Sequence, residues 1–117
     1  MSATPASTRL PQHMIALRRA NEIRLAQGRI KAGIAQGQLT LDAVVTYETD
    51  ADRAALDRMT IFAVLTSARR VGPSRARTLL AALRIPEGKR VGALTDRQRS
   101  VLVERLRATI PAACTPA

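Results

Sequence analysis

The 117-residue chain carries 19 basic and nine acidic side chains, for a net charge of +10, and 17 of the cations are arginine. Its length allows one small domain, and with Tyr47 and Phe62 the only aromatics the core must come from Leu, Ile, Val, Ala and Met. The composition excludes a disulfide framework and a Cys/His zinc centre, because Cys114 and His13 are each the sole residue of their kind.

No apolar run approaches a membrane span and the N-terminus lacks the apolar core of a signal peptide, so a reducing cytoplasmic setting is expected. Residues 1–8 are small, polar and uncharged, and are expected to be disordered. A long helix is predicted over residues 9–36. Ala16, Ala20, Ile23, Gln27, Ile30 and Ile34 form its inward stripe, with Gly37 as the C-terminal cap. A helix of this length must project past a small core. Its basic N-terminal part is open to two readings, a strip along a nucleic-acid backbone or a solvated face.

Thr40 reads as the N-cap of a short helix over residues 41–48, with Asp42 in its first turn. A strand there would lack a partner. A further helix is predicted from Ala54 or Asp57 to about Ala68, with Met59, Phe62, Ala63 and Leu65 apolar, and Phe62 as core filler. After a break at Val71, Gly72 and Pro73, another helix runs over residues 74–83, with Ala76, Leu79, Leu80 and Leu83 inward. Pro86 and Gly88 end it. Thr95 and Gln98 form a capping box opening the last helix, which runs to about Ala108 with Val101, Leu102, Leu106 and Ala108 inward. A disordered tail, residues 109–117, is expected to follow.

Charge is unevenly spread. Residues 1–41 carry +5, residues 42–58 carry −3 and residues 59–117 carry +8. An arginine-rich surface matches phosphate geometry, so the chain reads as a polyanion binder with its main basic surface in the second half. The acidic stretch should face away from a polyanion or pair with arginines elsewhere. The sharpest local signal is the start of the helix after Gly72. A helix N-terminus offers free N–H groups and partial positive charge, so Arg75 and Arg77 in that first turn imply an anion beside them. Two residues apart, they project from different sides of the turn. Lys89, Arg90 and Gly92 make a second basic turn. No catalytic constellation is present in the sequence, and no enzyme activity, metal or cofactor is expected.

The stretch Met59 to Ser67, then Val71-Gly72, Arg75-Ala76, Leu79, Leu83 to Pro86, Arg90 to Leu94 and Thr95 to Gln98, resembles the actinobacterial (mycobacterial-type) integration host factors. Arg18 to Ala20 and Leu41 to Val44 extend the resemblance, which spans roughly residues 10–108. It implies an all-α fold, a long first helix on a helix–two-turn–helix domain, with a corner also found in a ribosomal small-subunit protein and in DNA-repair glycosylases. It further implies a nucleoid-associated protein that binds and bends duplex DNA with little sequence preference and supports phage integration. By position, the family's phosphate-binding turn falls on Val71, Gly72, Pro73, Ser74, Arg75 and Arg77, and its later loop on Lys89, Arg90 and Gly92. Arg69 and Arg70 stand where the motif usually has Pro-Gly, and Pro73 where it often has lysine. Proline removes one N–H donor, for which the two arginines can compensate.

The expectation is a monomeric duplex-DNA-binding protein with a recombinase or integrase as a further partner. Two alternatives remain: an RNA or ribosome binder using the same corner, and an interaction protein whose acidic 42–57 segment docks a basic partner.

Overall fold

The computed structural model describes residues 12–110, and their regular structure is helical. In chain order the elements are α1 (Gln12–Ala35), α2 (Leu41–Val45), α3 (Arg53–Asp57), α4 (Ile61–Ser67), α5 (Pro73–Ala82), a 3-10 turn (Val91–Ala93) and α6 (Asp96–Thr109). The expected all-α class, with its long first helix, is what forms. No strand occurs among the described residues, only an isolated antiparallel bridge between Thr60 and Arg90. The disorder expected for residues 1–8 lies outside the described residues, as do residues 111–117 of the expected tail. Thr109 closes α6 and Ile110 is buried, so the ordered chain extends past residue 108.

Helix α1 packs on α3 and α4, α2 on α6, α4 on α5, and α3 on the 3-10 turn. Leu41, Leu56, Ile61, Leu65, Leu80, Leu102 and Leu106 are fully buried at the centre. Each such side chain removed from water contributes roughly 1.5–3 kcal/mol. On α1 the buried residues are Ile23, Ala26, Ile30, Gly33 and Ile34. Gln27 lies half-buried and donates to the Ala55 carbonyl at 3.1 Å. Ala16 and Ala20, expected inside, are exposed, because the body of the domain ends before Ile23.

The single helix expected from about Ala54 to Ala68 is two. Asp52 accepts from the Ala54 and Ala55 N–H groups and opens α3, and Thr60 accepts from Ala63 N–H and opens α4. The backbone between them is committed elsewhere: Ile61 N–H bonds the Lys89 carbonyl at 2.8 Å, and Val91 N–H bonds the Met59 carbonyl at 2.9 Å. Three helices end alike. After α1, α2 and α5, the residues Gly37, Tyr47 and Arg84 take φ values of 77°, 62° and 58°. Each is followed by a residue whose N–H reaches back five positions, from Gln38 to Gly33, Glu48 to Ala43 and Ile85 to Leu80. This pattern satisfies the last free carbonyls of a helix. Gly37 is the cap expected; Tyr47 and Arg84 are not glycines and take the left-handed conformation at some cost. Gly88, expected to permit a turn after α5, lies in one, closed by the Lys89 N–H on the Pro86 carbonyl at 3.1 Å, without a positive φ. In α6, Leu102 and Leu106 are buried as expected and Val103 is buried with them, while Val101 is half-buried and Ala108 exposed.

Candidate nucleic-acid interface

The corner between α4 and α5 is anchored from below. Val71 is buried at 2 % exposure and its N–H bonds the Ala68 carbonyl at 3.0 Å. Around it Arg69, Arg70, Gly72, Pro73, Ser74 and Arg75 are exposed. Gly72 is the N-cap of α5, Pro73 the first helical residue, and no side chain caps the turn. The Gly72 carbonyl accepts from Ala76 N–H at 3.0 Å, so the ladder begins there. The N–H groups of Ser74 and Arg75 in the first turn therefore have no partner within the helix, the condition under which a helix start receives an anion. A Cβ at Gly72 would meet nothing within 4 Å, which leaves open space over the backbone.

Arg75 stays at the corner, its Nη1 3.5 Å from the Arg70 carbonyl. Arg77 does not. Its Nε donates to Glu87 Oε1 at 2.8 Å and its guanidinium lies 5.2 Å from the centroid of the Phe62 ring. The two arginines diverge, as their spacing predicted, but Arg77 is engaged on the side of α5 facing the 86–88 turn. Phe62 is partly buried against the core, the filler it was expected to be.

The second basic turn is tied down by the bridge to Thr60. Arg90 is exposed, Lys89 half-buried, and Val91 fully buried between them and the core. It lies at the N-terminal end of α4, whereas the arginine corner lies at the C-terminal end. Seven residues of helix, about 10 Å of axial rise, lie between the two. Gly92 has a packing reason to be glycine, since a Cβ there would lie 3.0 Å from Asp57 Cβ and 3.1 Å from its backbone oxygen.

Some of the positive charge counted in the sequence is engaged within the domain. Arg99 donates to the carbonyls of Val45, Val91 and Leu94 and lies 4.8 Å from the Tyr47 ring centroid, with Arg53 at 4.2 Å from the same ring. Arg107 donates to Asp42 Oδ2 from both Nε and Nη2, at 3.2 and 3.1 Å. Asp42 of the acidic stretch thus pairs with an arginine far along the chain, one of the two arrangements expected for it. Burial pushes Asp42 up, but the Thr40 hydroxyl, the Arg107 guanidinium and the Ala43 N–H outweigh it and hold its pKa below 3.8. Tyr47 is pushed above 10.0, first by burial and then by its hydrogen bond to the Asp57 carboxylate.

One cation near the corner escaped the sequence reading. Arg105 of α6 lines a shallow cleft of about 420 Å³ together with Ser74, Arg75, Thr78 and Thr109. Periodicity places Arg105 on the outer side of α6, but only the tertiary fold brings it to the same cleft as Arg75.

Residues 34–106 match the family described as the S13-like H2TH domain. Over 95 residues the chain is 33 % identical to a Mycolicibacterium smegmatis protein named Integration host factor, covering 80 % of this chain and 88 % of that one. A solved structure of sIHF bound to an 8bp palindromic DNA has the same fold, with a TM-score of 0.66 and 24 % identity, over 75 % of this chain and 97 % of the other. Both basic turns and the uncapped start of α5 lie inside the span matched by the domain family.

Proposed function

The chain belongs to the S13-like H2TH family, with a mycobacterial integration host factor among its relatives, and on that premise we propose that it is a non-enzymatic, architectural duplex-DNA-binding protein. The observation that carries the reading is the uncapped start of α5, exposed and ringed by Arg69, Arg70 and Arg75, within the matched domain. Backbone phosphate sits at the Ser74 and Arg75 N–H groups, with the three guanidinium forks around it. Arg77 joins when it leaves Glu87. Arg90, at the opposite end of α4, takes a phosphate further along the same backbone. Val71 and Gly92 hold the two turns in place, and Pro73 presets the helix start at little cost because its missing N–H would be unpaired in any case.

Contacts of this kind position a duplex without reading its bases, so sequence preference is weak and comes from how readily the DNA deforms. The proposal also includes bending of the duplex, compaction of a cytoplasmic nucleoid and support of a phage recombinase, which rest on the likeness to the integration host factors. One chain carries the whole contact surface, so a single copy suffices for binding.

The competing reading places the same corner on structured RNA, in keeping with the ribosomal resemblance of the domain. Competition between duplex DNA and duplex RNA of equal length, with straight and pre-bent DNA probes, separates them. The proposal expects DNA to win and the pre-bent probe to bind more tightly. Preference for RNA overturns it.

A further inference from the structure

Among the described residues, the large hydrophobic side chains left exposed are Met14, Ile15, Leu17 and Leu25, all on α1. At about 100° per residue, Met14, Leu17 and Leu25 fall within roughly 80° of one another on the helix surface. That line lies roughly opposite the buried Ile23, Ile30 and Ile34. Arg18 borders it on one flank and Arg24 on the other, while Arg19 is paired with Glu22 at 3.3 Å. Phosphate gains nothing from an apolar line of this kind. A row of large side chains on a projecting helix instead fits another protein surface.

A matching surface exists on the same molecule. Between the C-terminal half of α1 and residues 38–52 opens a cleft of about 670 Å³. Ile30, Leu39 and Ala43 give it an apolar floor, and Glu48, Asp50 and Asp52 give it an acidic rim, with Arg29 the one cation in its lining. Those exposed carboxylates would repel a phosphate backbone. The cleft and the apolar line therefore complement each other in both respects, apolar against apolar and arginine flanks against an acidic rim.

A chain cannot fill its own cleft. The line at residues 14–25 and the cleft wall at residues 26–33 belong to one continuous 24-residue helix, which does not fold back on itself. We propose that the projecting half of α1 of one copy docks into the acid-rimmed cleft of the next, head to tail. Such a contact does not close on itself and propagates as a row of copies. A row along DNA would keep the acidic rims covered and the arginine corners free. The inference concerns a surface apart from the arginine corner and does not depend on what that corner binds.

The test is sedimentation velocity of the full chain at about 0.15 M salt, where repulsion between the cationic copies is screened beyond about 8 Å. The wild type is expected to sediment faster as its concentration rises from micromolar to hundreds of micromolar. Leu17→Ser with Leu25→Ser, or Glu48→Lys with Asp50→Lys, should each stay monomeric at every concentration. An equimolar mixture of these two variants should form dimers and nothing longer, since one contact is intact in each pair. A wild type that remains monomeric overturns the proposal. So does association that survives the Glu48/Asp50 variant, which would assign the apolar line to a symmetric helix pair. Binding of a monomeric wild type to phosphatidylserine vesicles would give that line to a membrane surface instead and would equally overturn it.

Discussion

Under the proposed function, replacing Glu87 by glutamine should make the protein bind duplex DNA more tightly, because the Glu87 ion pair holds Arg77 in the free protein. The Arg77 Nε lies 2.8 Å from Glu87 Oε1, with the two side chains 61 % and 49 % exposed. A pair this open to solvent contributes about 0.2–1 kcal/mol. Under the proposed function Arg77 must break that pair to reach the backbone, so binding forfeits this amount. Glu87→Gln removes the forfeiture, which corresponds to a gain of roughly 1.4-fold to 5-fold in affinity. The Phe62 ring beneath the guanidinium remains to keep Arg77 ordered. Fluorescence anisotropy with a short labelled duplex at fixed salt measures the change. The same substitution in an Arg77→Ala background separates release of Arg77 from loss of a surface negative charge, since only the former needs the arginine. An equal gain in both backgrounds would refute the reasoning. Weaker binding by Glu87→Gln would mean that the pair presents Arg77 to DNA instead of withholding it.

Other consequences concern the scaffold beneath the two turns. Arg99→Met leaves three carbonyls, those of Val45, Val91 and Leu94, without their charged donor; chemical denaturation should show a loss of about 2–4 kcal/mol, and a loss under about 0.5 kcal/mol would contradict the assigned role. Gly28→Ala, at a site inside α1 with nothing within 4 Å of the new Cβ, should stabilise by about 1 kcal/mol and raise Tm by roughly 4–8 °C. Gly92→Ala must push against the Asp57 backbone oxygen and should cost about 1–3 kcal/mol in the same melting experiment. Because the folded pKa of Asp42 is depressed, its contribution is present above the ordinary carboxylate value near 3.8 and is lost as pH falls through the lower folded value. Urea titrations below about pH 4 should show that loss in the wild type and less of it in Arg107→Ala.

Features set by adjacent residues were legible in the sequence. The Thr95–Gln98 capping box forms with both of its hydrogen bonds, Thr40 caps α2, and Gly37 takes the left-handed turn after α1. The arginine corner was legible for the same reason, since Gly72, Pro73 and Arg75 announce a helix start within four residues. What escaped depends on distant parts of the chain. Nothing next to Tyr47 signals positive φ; it is held by Asp57, Arg53 and Arg99, up to 52 residues away. The break between α3 and α4 is set by hydrogen bonds to Lys89 and Val91. Net charge likewise cannot distinguish Arg99, engaged within the domain, or the Arg107 paired with Asp42, from Arg105 beside the corner. Packing alone decides which arginines remain for a ligand.

The central claim is that the start of α5 and its arginines hold backbone phosphates, and the salt dependence of duplex binding tests it most directly. Each phosphate contact adds about −0.9 to the slope of log affinity against log salt concentration. Arg75→Ala with Arg77→Ala should weaken binding to every duplex sequence and make that slope shallower by about 1.8. A slope identical to that of the wild type would place the phosphate contacts elsewhere on the protein and contradict the account.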